Sequence, residues 1–320
     1  MTDLVSIHRR VPGTTSQPRG GWAASYDRPL TLQKPSPAHP LIISASELRD
    51  FLRCRVRWWW RHQIRLEPVG GKEALDMGTL VHAITEAWYR YPVENRTWQR
   101  MRKICREQIR ETRLEALNTE AKELVQAMCE GYAVWANTPN EDENHDAGIG
   151  LTECFPEDPF DLPLTKDGSI RVRGRIDNRF KPMRRVMAMQ ELKTAGQFRD
   201  KGLETLIQAS TYLWAMRVKY PKCERYIMYY TEMRKQLPTD RVRAPLFQRQ
   251  AVERSAEEVD QWILDTQRAA MDMLDPAIYP NPNANCSWDC DFQTPCLLRG
   301  TEDLEHVLSS AYRIKPPRDK

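Results

Sequence analysis

The chain has 320 residues, 48 Lys and Arg against 44 Asp and Glu, and 41% hydrophobic residues at a mean hydropathy of −0.66. That length builds a core without disulfide staples, and no run approaches the roughly 18 apolar residues of a membrane helix, so disulfide scaffolds and helical membrane proteins are excluded. A net charge of +4 also excludes a polycation that holds nucleic acid by bulk charge alone.

Residues 1–40 carry Pro12, Pro18, Pro29, Pro35, Pro37 and Pro40 among Gly, Ser and Thr, which predicts a flexible Pro-rich arm. The arm lacks the apolar stretch of a secretion signal, so a cytoplasmic protein is expected. A domain over 41–300 begins near Ile42. Ser44 or Ser46 caps a helix running through Trp60, with Glu47 placed as in a capping box. Trp58, Trp59 and Trp60 share this helix, whose spacing turns only part of them inward; stacking on bases is the lesser reading beside an aromatic core. Arg49, Arg53, Arg55, Arg57, Arg61 and Arg65 follow one another here, and Arg53, Arg55 and Arg57 are taken as contacts to a DNA backbone, with a solvated face as the alternative.

Helices are predicted over 74–91, 97–117 and 119–137. The acidic stretch 141–146 reads as a solvated loop, and a strand follows at about 150–155. Ile170–Phe180 and Val186–Thr194 read as two strands joined by a turn at Lys181–Arg185. Strand alternation puts Glu191 and Lys193 on one face with Leu192 turned to the core, and Asp177 meets Glu191 across the hairpin. Two carboxylates offer hard oxygen ligands for Mg²⁺ or Mn²⁺, and Lys193 beside them can orient or help deprotonate a water. Gln208 and Tyr212 lie one turn apart on a helix over 203–220. Strands at 224–233 and 241–249, then a helix at 256–274, complete the core. A tail over 301–320 is expected to be partly disordered.

Eight cysteines are present, three of them spaced C-x3-C-x5-C at Cys286, Cys290 and Cys296. Cys54 is the candidate fourth thiolate, and Cys105, Cys129, Cys154 and Cys223 read as ordinary buried thiols.

Taken in order, Gly78-x-x-x-His82, Gly174-x-x-Asp177, Glu191-x-Lys193 and Gln208-x-x-x-Tyr212 resemble the motifs of the PD-(D/E)XK nuclease superfamily, in its RecB-like branch. The resemblance implies an α/β restriction-endonuclease-like core, a mixed sheet flanked by helices with a helical insertion before the catalytic hairpin. It implies His82 and the Leu192 carbonyl as further metal ligands beside Asp177 and Glu191, Gln208 and Tyr212 as a pair that contacts the substrate strand or supports the site, and Glu153 as an accessory acid. The cysteines resemble the iron-sulfur staple of AddB subunits and CRISPR-associated RecB-like exonucleases, which implies a [4Fe-4S] cluster on Cys54, Cys286, Cys290 and Cys296. Three residues rather than the usual two separate Cys286 from Cys290, and Arg55 replaces a common proline, so Zn²⁺ and no metal stay open. The implied activity is a metal-dependent DNA exonuclease of bacterial or phage recombination, replication or repair, acting on single strands or DNA ends beside a helicase or recombination protein. A non-catalytic DNA-binding subunit and an endonuclease or DNA-processing subunit are the alternatives.

Overall fold

Ser44 starts the first helix: its hydroxyl accepts from the Glu47 N–H at 3.1 Å, satisfying one of the free donors of the first turn. In the computed structural model, residues 35–315 are described apart from 71–72, 113, 115–116, 140–144, 147, 150, 152, 200, 238–245 and 275–276. The elements in chain order are β1 (Leu41–Ile43), α1 (Ala45–Arg53), α2 (Arg55–Trp58), a π-helical turn (Trp59–Ile64), β2 (Leu66–Pro68), α3 (Glu73–Tyr89), α4 (Trp98–Glu111), α5 (Thr119–Asn137) and β3 (Cys154–Pro163). They continue with β4 (Ile170–Phe180), β5 (Val186–Ala195), α6 (Ile207–Lys219), β6 (Arg225–Arg234), β7 (Phe247–Val252), α7 (Ala256–Leu274), α8 (Cys286–Asp289), α9 (Gln293–Leu297), α10 (Asp303–Ala311) and β8 (Tyr312–Ile314). The chain forms two compact units, one from Met1–Gly70, Pro163–Val172 and Ile263–Lys320, the other from Gly71–Leu162 and Arg173–Trp262.

In the second unit β5 is flanked by β4, antiparallel through Asn178↔Gln190, and by β6, parallel from Val186↔Arg225 to Ala195↔Arg234. A parallel pair needs a crossover, and α6 supplies it. β7 adds to β6 antiparallel, and β3 pairs with β4. The hairpin turn places Arg184 and Arg185 at φ 49 and 65, the left-handed backbone that a two-residue hairpin requires. Leu192, Met233 and Phe180 pack with Val81, Ile84, Trp88, Val125, Met128 and Tyr132, so α3, α5 and the sheet share one core. The architecture is the expected mixed sheet flanked by helices.

Several expectations are corrected. The helix expected to reach Trp60 breaks at Cys54, which is extended (φ −164, ψ 120), and resumes as α2 and the π turn. That wider turn helps bury all three tryptophans, at 1%, 2% and 2% exposure, so none of them is offered to a base. The strand expected at 150–155 runs instead over Cys154–Pro163. Of the acidic stretch, 141–144 lie outside the described residues, while Asp146 is buried against Arg249 rather than solvated. Part of the strand expected at 241–249 also lies outside them, and the structure shows Phe247–Val252. Of the tail, 316–320 lie outside the described residues, while 303–314 form α10 and β8, and β8 pairs with β2 through Leu66↔Ile314 and Pro68↔Tyr312 in the first unit. The Pro-rich arm lies outside the described residues up to residue 34.

Candidate active site

Asp177 is one register step beyond the Asn178↔Gln190 pair, and its Oδ2 accepts from the Leu192 N–H at 2.8 Å. A side chain thus takes the backbone donor next to Glu191, tying the two strands together at the point where the acids meet. Leu192 points into the core at 0% exposure, which leaves Glu191 and Lys193 on the opposite face as strand alternation requires. Lys193 Nζ pairs with Glu191 Oε1.

His82 reaches the same point from α3, with Nδ1 3.5 Å from Asp177 Oδ2. Among the described residues, the one group of three or more potential ligands with atoms within 4.8 Å of one another is His82, Glu157 and Asp177. Glu157, rather than the expected Glu153, shares that point with His82 and Asp177. Glu153 points to Lys181 at 2.7 Å with its side chain 54% exposed, whereas Glu157, at φ 54 on β3, also holds Arg175 at 3.1 Å. The signal for Glu157 was weak because Pro156 and Pro159 disguise β3 as a loop; proline is tolerated there since the strand's ladder runs to β4.

α6 supplies the support. Gln208 Nε2 donates to Glu191 Oε1 at 2.8 Å and to the Tyr212 hydroxyl at 2.9 Å, and that hydroxyl donates to the Arg175 carbonyl at 2.8 Å. Tyr212 is 6% exposed and stands edge-on to Phe160. This explains Gly174: a Cβ there would come 2.4 Å from the Phe160 ring, so any side chain would push the ring toward Tyr212. Behind β5, Gln190 donates to the Tyr132 hydroxyl at 2.8 Å and accepts from Asn178 at 3.0 Å, and Tyr132 leads to the buried Arg249–Asp146 pair. Sequence patterning did not reveal this polar layer, whose members come from α5, β4, β5 and β7.

The electrostatics match a cation site. Burial, then the Glu191 charge, push the Asp177 carboxyl well above the usual carboxylate range. Burial and the Lys193 charge push the His82 imidazole down, keeping it neutral and able to ligate. Burial alone would lower Lys193, but the Glu191 and Asp177 charges outweigh it and raise it above the usual lysine range. Glu191 Oε2 is buried without a hydrogen-bond partner. A buried carboxylate oxygen lacking a donor, beside a His/Asp/Glu set, fits a hard divalent cation.

The match to a family model of the PD-(D/E)XK nuclease superfamily spans residues 42–297. The chain belongs to the PD-(D/E)XK nuclease superfamily. Asp177, Glu191 and Lys193 lie within the matched span, where the fold brings them together. PD-(D/E)XK proteins are generally nucleases that use divalent metals. No curated protein sequence matches the chain. Among solved structures, the crystal structure of SSO0001 is similar at 14% identity and a TM-score of 0.36, over 81% of this chain and 87% of that one.

Two expected groups lie elsewhere in the fold, within the first unit. Arg53 pairs with Asp289, Arg55 with Asp272 at 3.3 Å, and Arg57, buried at 5%, with Asp50 at 3.1 Å. Arg57 is a buried cation, while Arg53 and Arg55, about one-fifth exposed, pair with acids that are themselves 47% and 65% exposed. The cysteines Cys54, Cys286, Cys290 and Cys296 all lie in the first unit: burial raises the Cys296 thiol, Arg299 lowers it, and Cys54, Cys290 and Cys286 raise it further. Asn281 N–H points to Cys54 Sγ at 3.5 Å and Asn283 N–H to Cys286 Sγ at 3.4 Å. No three of these thiols lie within 4.8 Å of one another among the described residues. Cys105 and Cys129 are buried as expected, while Cys154 and Cys223 are partly exposed.

Proposed function

We propose that this protein is a metal-dependent deoxyribonuclease that removes nucleotides from DNA ends or single strands. The observation that carries the reading is the meeting of Asp177, His82 and Glu157, with the Glu191–Lys193 ion pair on the facing strand. Asp177, Glu191, His82, Glu157 and the Leu192 carbonyl would hold Mg²⁺ or Mn²⁺, which supplies an activated water and neutralises charge on the scissile phosphate. Lys193 donates from a fixed position to the attacking water or a phosphate oxygen. Gln208 keeps Glu191 in one rotamer, and Tyr212 anchors Gln208 to β4. Exonuclease action, in recombination, replication or repair beside a helicase, is what the RecB-like resemblance implies, with an endonuclease or DNA-processing subunit as the alternative.

The same reading includes a [4Fe-4S] cluster on Cys54, Cys286, Cys290 and Cys296. Its support is their shared electrostatic neighbourhood in the first unit, with Zn²⁺ on the same thiolates as the alternative.

End-labelled single- and double-stranded DNA digested with and without Mg²⁺ tests the activity. Asp177→Ala, Glu191→Ala and Lys193→Ala are each expected to lower cleavage about 100-fold or more with melting temperature preserved. Near-wild-type cleavage by any one of the three overturns the site.

A further inference from the structure

Among the helices of the second unit, basic charge gathers on α4. This helix carries Arg100, Arg102, Lys103, Arg106 and Arg110 against Glu107 and Glu111, five cations to two anions. Met101, Ile104 and Cys105 bury the opposite face, so the basic residues have nowhere to go but outward. Trp98, Arg102, Lys103, Arg106, Glu107 and Arg110 line a shallow groove of about 470 Å³. Trp98 keeps 40% exposure at one end, with the Arg102 guanidinium 5.5 Å from its ring.

A solvated helix face usually alternates charge sign and hides its indoles; this one does neither. The acids present make only exposed pairs, Lys103 with Glu107 at 3.9 Å, Arg102 with Glu130 at 3.6 Å and Arg110 with Glu111 at 3.5 Å, which exchange readily for a stronger anion. Arg106 has no acidic partner among the described residues. Arg102, Arg106 and Arg110 recur every four residues, about 6 Å along the axis, the order of one nucleotide of extended backbone. An indole offered beside a row of cations is the combination that holds an unpaired strand, phosphates on the charges and a base on the ring. A duplex keeps its bases stacked and leaves the indole unused.

We propose that the outer face of α4 is a docking track for single-stranded DNA, with Trp98 stacking a base and Arg102, Arg106 and Arg110 taking successive phosphates. This rests on the nuclease reading above and names where its substrate strand is held.

The test is anisotropy of a fluorescein-labelled oligothymidylate with the full chain in EDTA, titrated over a range of salt. Arg106→Gln with Arg110→Gln is expected to reduce the slope of log K against log salt by about 1.4, two phosphates at roughly 0.7 each. The Arg106→Lys with Arg110→Lys pair is expected to keep the slope. Trp98→Ala is expected to weaken binding about fivefold or more, and Trp98→Phe to restore most of it. An unchanged slope in the glutamine pair, an equal loss in the lysine pair, or a duplex bound as tightly and indifferent to Trp98→Ala overturns the proposal. Wild-type protein that binds this way but never cleaves DNA in Mg²⁺ removes the nuclease reading and leaves the track standing; cleavage with an unchanged slope removes the track alone.

Discussion

Glu153 and Glu157 are four residues apart, yet only Glu157 shares a point with His82 and Asp177. If Glu157 is a metal ligand, Glu157→Ala should raise the Mg²⁺ concentration for half-maximal cleavage about tenfold or more, since weakened ligation falls on metal affinity first. Glu153→Ala, whose carboxylate serves Lys181 at the surface, should leave that concentration unchanged. Equal metal titrations for Glu157→Ala and wild type would return Glu157 to a partner of Arg175 only. The contrast shows what a sequence reveals at this scale. Asp177, Glu191 and Lys193 were legible because period-two alternation fixes which of them share a face. Gln208 and Tyr212 were legible because one helical turn does the same. Glu157 was not, because its place depends on a left-handed backbone between two prolines, which no periodicity records.

At the scale of elements, α3, α5, α6, β6 and α7 follow their patterns closely, and the Thr97 and Asn118 side chains accept from the first turns of α4 and α5. The break at Cys54 was not legible, since its cause is a buried acid on the preceding turn. Asp50, 0% exposed, accepts from Arg57 at 3.1 Å, Arg61 at 3.1 Å and His62 at 3.0 Å, so α2 and the π turn are wound to deliver three donors to one carboxylate. Burial pushes Asp50 up, but the His62 hydrogen bond and the Arg61, Arg57 and Arg49 charges outweigh it and hold it below the usual carboxylate range. A folded value below the unfolded one, about 3.9, means that Asp50 contributes stability at neutral pH and down to about pH 4, lost as pH falls further toward the folded value. Asp50→Asn should therefore unfold at lower urea than wild type at pH 7, with the gap narrowing below pH 4. A gap constant from pH 7 to pH 3 would assign the loss to packing rather than charge.

At the scale of the molecule, the helices and sheet of the nuclease core were legible and the ends of the chain were not. β8 forms only because β2 offers it an edge, and Arg313 meets Glu67 across 246 positions of sequence at 2.8 Å, a pairing no local pattern announces. The first unit is therefore held by contacts between distant segments. Asn281 reaches Cys54 Sγ from 227 positions away, and Arg53, Arg57 and Arg61 reach Asp289 and Asp291 over similar separations. Each closes a long loop, whose entropy must be offset by whatever fastens it. A metal cluster on Cys54, Cys286, Cys290 and Cys296 fastens it with several bonds at once. Anaerobically purified protein should then be brown and contain about four irons per chain. Cys54→Ser should bleach it and lower its melting temperature by roughly 5 °C or more, because the ligand set is broken where the loop is longest. Colourless protein with one zinc per chain would replace the cubane by a Cys₄ zinc site. Metal-free protein whose melting is unaltered in Cys54→Ser would leave the ion pairs and β2–β8 to hold the unit alone.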